Sequence, residues 1–273
     1  AKGFAHFGIY KAMHELNIPI DIIGGTSAGS IVASQIALGH NFEEIINKNR
    51  NINSLKMFKE YGIPYISLIK SNKIVKASKI SAEGRNIEDL WIPFFAPATD
   101  LTNSKLIIFD KGPLWEAIRS SGALPGIVLP HFINGDIIVD GGLMNNLPVD
   151  IMRKKYGGKI ICSSCSLDKS MKTSLDGIPN QLRLLITKFF NKSKFEKKYK
   201  YVPTITDIIF KTSVVASTSQ INSNIKMSDL FLELPTSKFG LTEFNNDAMM
   251  KMIEIGYQYS KPRLEKFKDT LII

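Results

Sequence analysis

Apolar positions along the chain follow two rhythms. Phe4, Phe7, Ile9, Met13 and Leu16 recur at near-helical spacing with Lys11 and Glu15 opposite, which predicts a helix over residues 4–16. Asn17-Ile18-Pro19 ends that helix and opens an apolar strand that runs to Ile23. A small-residue helix is expected over 28–38, with Gly39 as its C′ residue, and an Asn- and Lys-rich helix over 41–54. Residues 55–85 carry a mixed Lys/Ile/Ser pattern and read as short helices over a sheet. The nearly continuous apolar run 90–99 and the segment 105–109 read as a strand pair joined across 100–104, followed by a helix over 114–121 that Gly122 and Pro125 stop.

Further on, 133–139 is expected to form a hairpin about Asn134-Gly135, the strongest short turn signal in the chain. A helix over 145–156 closes at Gly157-Gly158, and a buried strand follows over 159–164. Residues 168–228 are expected to be helical, with an amphipathic helix over 181–190 and another over 207–222. The stretch 188–201 is strongly basic, with Phe189, Phe190, Phe195, Tyr199 and Tyr201 interleaved. A last strand is expected over 229–234 and a last helix over 246–259. Strands alternating with helices at these lengths predict an α/β fold with a mostly parallel sheet covered on both faces. No repeat or linker interrupts it, so 1–273 reads as one domain: core motifs in 1–167, a basic helical portion in 168–228, and the last strand and helix in 229–273.

Composition narrows the function classes. At 273 residues the chain can bury a large core, and its 44 % hydrophobic and 22 % charged content is that of an ordinary globular enzyme. No apolar run reaches the ~18 residues of a membrane-spanning helix, and the first residues lead into an amphipathic helix rather than an apolar secretory core. The net charge of +10, mostly from lysine, suits an anionic surface such as a membrane. Lysines are scattered and no nucleic-acid fold signature is present, so nucleic acid is not an expected partner. Cys162 and Cys165 lack a second ligand pair, so two core thiols are expected rather than a zinc site, and no metal or other cofactor is expected.

The candidate chemistry lies after the strand that ends at Ile23. Gly25-Thr26-Ser27-Ala28-Gly29 is a Gly-x-Ser-x-Gly turn between strand and helix, which lifts a serine hydroxyl out at the sheet edge, with the glycines avoiding a clash as strand and helix close. The helix N-terminus behind it favours developing negative charge. A serine nucleophile needs a base. The four histidines are His6, His14, His40 and His131, and no histidine follows residue 131 to fill the late position of a triad. His131, in a Pro-His-Phe loop, stays a candidate. A carboxylate acting directly is the alternative, and Asp140 fits best, because Asp140-Gly141-Gly142 turns sharply off the end of a strand. Asp100 and Asp136 are rival acids without following glycines.

Gly25-Thr26-Ser27-Ala28-Gly29, Asp140-Gly141-Gly142 and Asn145-Asn146-Leu147-Pro148, in that order, resemble the patatin-like phospholipases, in particular the bacterial and neuropathy-target-esterase branch. The opening residues Ala1–Gly8, the stretch Ile87–Phe95 and Arg119–Gly126 fit the same pattern, which covers about 1–167. The resemblance implies a three-layer α/β/α fold and a Ser–Asp dyad, with Ser27 as nucleophile and Asp140 as base. It implies hydrolysis of phospholipid or lysophospholipid esters without a metal. It also implies an oxyanion loop, of which Ala1-Lys2-Gly3 match only the end, leaving Lys2, Gly3 and the N–H of Ala28 as the oxyanion residues. The expected setting is cytoplasmic, with peripheral contact to an anionic membrane. The alternative is a catalytically impaired module that binds membranes or a partner protein.

Overall fold

The computed structural model describes residues 2–54, 71–165, 205–237, 239 and 245–271. A 3-10 turn at Lys2–Phe4 leads into α1 (Ala5–Glu15), followed by β1 (Ile23–Gly24), α2 (Ala28–Ala37), α3 (Phe42–Ser54) and α4 (Ser71–Ala82). Next come β2 (Phe94–Asp100), β3 (Lys105–Phe109), α5 (Leu114–Ser121), β4 (His131–Ile133) and β5 (Asp136–Asp140). A 3-10 turn at Gly141–Leu143 precedes α6 (Val149–Lys155) and β6 (Ile161–Ser164). The chain continues with α7 (Ile205–Ala216), α8 (Thr218–Met227), β7 (Leu230–Glu233) and α9 (Asn246–Lys268). The expected basic stretch 188–201 and the helix over 181–190 lie outside the described residues.

β2 is the axis of the larger sheet, and all seven of its residues are buried. Its even-numbered face, through Phe94 and Ala96, packs with Ala33, Ala37, Leu114, Ala117 and Ile118 of α2 and α5. The expected β2–β3 pairing is present and antiparallel, Ala96 opposite Phe109 through Asp100 opposite Lys105. The Asn134-Gly135 hairpin is also present, with φ of 51° and 89° at its two central residues, the left-handed pair that a tight hairpin requires.

The sheet is mixed, not mostly parallel. β1 runs parallel to β2, whereas β3 and β5 run antiparallel to it, and β4 antiparallel to β5; the parallel pair β6–β7 forms a second, two-stranded sheet. Short connections explain this. The loops joining β2 to β3 and β4 to β5 are too short for the crossover that a parallel neighbour needs.

One consequence sets up the site. The carbonyls of Pro93 and Phe95 accept from Ile23 and Gly25, and Leu101 donates to Ile137, so odd-numbered residues of β2 face both β1 and β5. The two strands therefore share one edge of β2 and run toward each other along it. Chain leaving the carboxyl end of β1 and of β5 must turn outward at the same place.

Four further expectations are corrected. The strand expected over 18–23 is laddered only at Ile23–Gly24, because Ile18 still closes the α1 end through its N–H to the Met13 carbonyl and Pro19 has no N–H to donate. The helix expected over 207–222 is two helices broken at Ser217, whose hydroxyl bonds back to the Ser213 and Val214 carbonyls. The last helix runs on past Tyr259 and Pro262 to Lys268, anchored by buried Leu264 and Phe267. It crosses α1 at Gly8 and Gly256, where an added Cβ would meet backbone atoms at 2.2 and 2.0 Å. Finally, the strand expected over the run 90–99 begins only at Phe94, which is core, whereas Trp91 is 85 % exposed.

Candidate active site

Ser27 stands where β1 gives way to α2, with φ 56° and ψ −124°. A non-glycine residue at positive φ is strained by the order of 1–3 kcal/mol, and three contacts hold it there. Its N–H donates to the Ser121 hydroxyl at 3.0 Å, its carbonyl accepts from the Ser30 N–H at 3.0 Å, and the Ser30 hydroxyl adds a second bond at 2.6 Å. Gly25 is required by close approach: a Cβ there would lie 2.4 Å from the carbonyl carbon and oxygen of Gly29. Gly29 is different from the expectation. A Cβ at Gly29 meets nothing within 4 Å, so closing the elbow does not demand glycine there.

Asp140 arrives from the opposite direction at the end of β5. Its Oδ2 accepts the Ser27 hydroxyl at 2.6 Å, and its Oδ1 accepts the Gly142 N–H at 2.8 Å. Its backbone is pinned on both sides: the N–H donates to the Ala123 carbonyl at 3.0 Å and the carbonyl accepts the Thr99 hydroxyl at 3.0 Å. Only 2 % of Asp140 is exposed. Burial raises its carboxyl to about 6, against the smaller opposing pull of the Ser27 and Gly142 hydrogen bonds.

The neighbouring motif residues tie the two halves together. Thr26 donates through its hydroxyl to the Asn145 carbonyl at 2.9 Å, and the Asn145 N–H donates to the Gly141 carbonyl at 2.8 Å. Gly141 sits so close to Pro97 that a Cβ would be 2.3 Å from its carbonyl oxygen. The Lys2–Phe4 turn lies against the elbow, where a Cβ on Gly3 would be 2.8 Å from that of Ala28. Lys2 is buried beside Cys165, whose thiol feels its charge. Gly29 and Ser30 bond back to the Thr26 and Ser27 carbonyls, so Ala28 opens the helix with its N–H in the first turn, where an α-helix leaves donors over.

The rival groups have other work. Asp100 accepts the Asn103 N–H and side-chain amide at 3.1 and 2.8 Å, which holds its carboxyl below the usual range, and Asp136 accepts the same amide at 3.1 Å. Both acids shape the β2–β3 turn. His131 bonds the Ser120 hydroxyl at 2.8 Å and lies against the Trp115 ring, with desolvation lowering its pKa. His6 pairs with the Ser163 hydroxyl at 2.9 Å, pushed down to about 4 by burial, and His40 pairs with Glu83. The described contacts of Ser27 include no histidine. Cys162 and Cys165 pack into separate apolar clusters, and burial pushes their thiols up to about 12 and 11.

Two residues of this site escape a reading of the sequence. Ser121 is fully buried at the end of α5 and accepts the Ser27 N–H, yet on paper it is one of two serines before a helix-stopping glycine. Asn145 is 2 % exposed and its amide donates to Asp150 at 2.7 Å, so it links the Thr26 hydroxyl to α6. Its place in Asn145-Asn146-Leu147-Pro148 was the only signal.

Comparison with known proteins places the chain in a family. Residues 1–153 match the profile of the patatin-like phospholipases, which is more than half of the chain. Lysophospholipase NTE1 of Mycosarcoma maydis is 27 % identical over 94 % of this chain and 14 % of its own length. Neuropathy target esterase sws of Drosophila melanogaster is 30 % identical over 97 % of this chain and 19 % of its own length. This chain thus spans less than a fifth of either relative. A solved structure, VipD from Legionella pneumophila, has a TM-score of 0.48 at 14 % identity, over 97 % of this chain and 65 % of its own. The profile match over residues 1–153 establishes that the chain belongs to the patatin-like phospholipase family.

Proposed function

We propose that the protein carrying this chain hydrolyses carboxyl esters of phospholipids or lysophospholipids, with Ser27 as nucleophile and Asp140 as its base. The observation that carries the reading is the 2.6 Å hydrogen bond from the Ser27 hydroxyl to a buried carboxylate. An ordinary aspartate is a weak base near neutral pH. Burial lifts Asp140 to about 6, closer to working pH and still ionised above it.

In acylation, Ser27 Oγ forms a bond to the ester carbonyl carbon while its proton passes to Asp140 Oδ2. Collapse of the tetrahedral intermediate breaks the bond to the leaving alcohol, which takes that proton from Asp140. Water then attacks the acyl-serine, Asp140 accepts its proton, and the fatty acid leaves as Ser27 regains its hydrogen. The N-terminus of α2, with the Ala28 N–H, favours the oxyanion. The two named relatives are consistent in kind, since one is called a lysophospholipase and the other an esterase.

The bonded Ser27–Asp140 pair weighs against a purely binding module. Peripheral membrane contact belongs to the same proposal: its support is the net charge of +10, and no helix among the described residues is long and apolar enough to cross a membrane. The test is fatty-acid release from lysophosphatidylcholine by the full-length protein, beside Ser27→Ala and Asp140→Asn. Release is expected from the wild type alone, and full activity in either variant removes the dyad.

A further inference from the structure

Asn145 reaches both halves of the Ser27–Asp140 pair through its backbone. Its carbonyl accepts the Thr26 hydroxyl, one residue before Ser27, and its N–H donates to the Gly141 carbonyl, one residue after Asp140. Its side chain is held from elsewhere. Nδ2 donates to Asp150 Oδ1 at 2.7 Å, and Oδ1 accepts from Asn224 Nδ2 at 3.2 Å. Asn224 belongs to α8, 79 residues further along the chain. We propose that Asn224, with Gln220 one turn before it, is a positioning residue for the Ser27–Asp140 pair, so that the catalytic unit extends through α8.

Asn224 is fully buried and its amide is used at both ends. Besides Asn145, its Nδ2 donates to the Leu147 carbonyl and to Asp150 Oδ1 at 3.0 Å, while its Oδ1 accepts from Gln220 Nε2 at 3.2 Å. Gln220 Nε2 also donates to Asp150 Oδ2 at 3.1 Å. Asp150 is thus the common acceptor of Asn145, Asn224 and Gln220. A carboxylate at the centre fixes how each amide is turned, because a reversed amide would set its oxygen against a carboxylate oxygen. Replacing Asn224 by hydrocarbon removes donors from three buried acceptors at once.

The cluster matters to chemistry because Ser27 and Asp140 sit on separate turns, at the ends of strands that approach from opposite directions. Those turns touch: a Cβ on Gly141 would lie 3.1 Å from Thr26 Cγ2, and the Asn145 peptide bonds to both. Asn224 holds the 145–147 segment at two points, the Asn145 side chain and the Leu147 carbonyl. Without it, the peptide that spans the two turns loses its fixed place. A shift of ~1 Å between reacting groups costs about 100-fold in rate, so partial loosening is expected to cost about tenfold. Packing of α8 is a separate matter, since buried Ile221 meets Leu147 and Val149 through apolar contacts alone.

The inference rests on the hydrolase reading, and the experiment separates the two. In the full-length protein, Asn224→Leu is expected to lower kcat per fluorophosphonate-titrated site about tenfold with KM little changed. Ile221→Ala weakens the packing of the same helix without removing an amide, and should keep the wild-type kcat per titrated site. Amide hydrogen exchange reads the clamp without catalysis. Exchange at Asn145 and Gly142 should quicken about tenfold in Asn224→Leu beyond any change at Val32 of α2, and not in Ile221→Ala. Should Asn224→Leu fail to fold, Gln220→Ala, at the half-buried end of the cluster, carries both measurements with about threefold effects. Unchanged kcat with unchanged exchange overturns the inference. So does an equal effect of Ile221→Ala, which makes α8 a packing element only. A wild type that neither hydrolyses lysophosphatidylcholine nor labels removes the hydrolase reading, and exchange alone then decides the clamp.

Discussion

Asp140→Asn is expected to abolish hydrolysis and at the same time to stabilise the protein. The carboxyl is 2 % exposed and its pKa rises from 3.8 to about 6 on folding. Burial penalises the charged form, so the native state binds the proton more tightly than the unfolded chain does. Stability therefore falls as pH rises from about 4 to about 6 and stays down above that. At ~1.4 kcal/mol per pH unit, the charged side chain destabilises the fold by about 3 kcal/mol at pH 8 and by about 1 kcal/mol at pH 4.5. Asparagine keeps an oxygen for the Gly142 N–H, offers an amide to the Ser27 hydroxyl, and carries no charge. Urea unfolding of both proteins at pH 8 and pH 4.5 reads the difference as a change in midpoint at constant slope. The variant should gain up to about 3 kcal/mol at pH 8 and less at pH 4.5. A variant less stable than the wild type at pH 8, or a gap independent of pH, refutes the argument that burial sets the basicity of Asp140.

The other predictions concern the elbow and its supports. Ser27→Gly should remove all activity yet stabilise by about 1 kcal/mol, by relieving the positive φ; thermal unfolding is the check, and destabilisation contradicts the strain. Gly25→Ala should cost more than about 3 kcal/mol or prevent folding, since its Cβ overlaps the Gly29 carbonyl, whereas Gly29→Ala should fold and gain up to about 1 kcal/mol. Ser121→Ala leaves the Ser27 N–H unpaired, and should lower stability by about 1–3 kcal/mol. Because the elbow then loses its orientation, kcat per fluorophosphonate-titrated active site should fall about tenfold with KM little changed, and a fall in the titrated active fraction alone would point to general unfolding.

How much of this was legible in the sequence depends on what kind of constraint each residue obeys. The elbow and the Asp-Gly-Gly turn are visible because chemistry and backbone geometry both restrict their residue types, and the hairpin is visible because Asn134-Gly135 suits left-handed backbone. Strand direction is different. The apolar run ending in Asp100 reads the same whether its neighbours run with it or against it, so the end-to-end meeting of β1 and β5 that joins Ser27 to Asp140 left no trace in periodicity. Gly29 carries the motif without a steric need for it, and Ser121 carries a steric role without a motif. The short β1 has a local cause: Ile18 to Ile22 are apolar enough for a strand, but the Ile18 N–H is taken by the Met13 carbonyl at the end of α1 and Pro19 has none to donate.

The central claim is that a buried Asp140 activates Ser27. The most direct measurement is the rate at which a fluorophosphonate labels Ser27 of the full-length protein between pH 4.5 and pH 8, with and without Asp140→Asn. The wild-type rate should rise through about pH 6, where the carboxyl ionises, and the variant should label at least ~100-fold more slowly with no such rise. Labelling of the variant at the wild-type rate, or a label on another residue, contradicts the account.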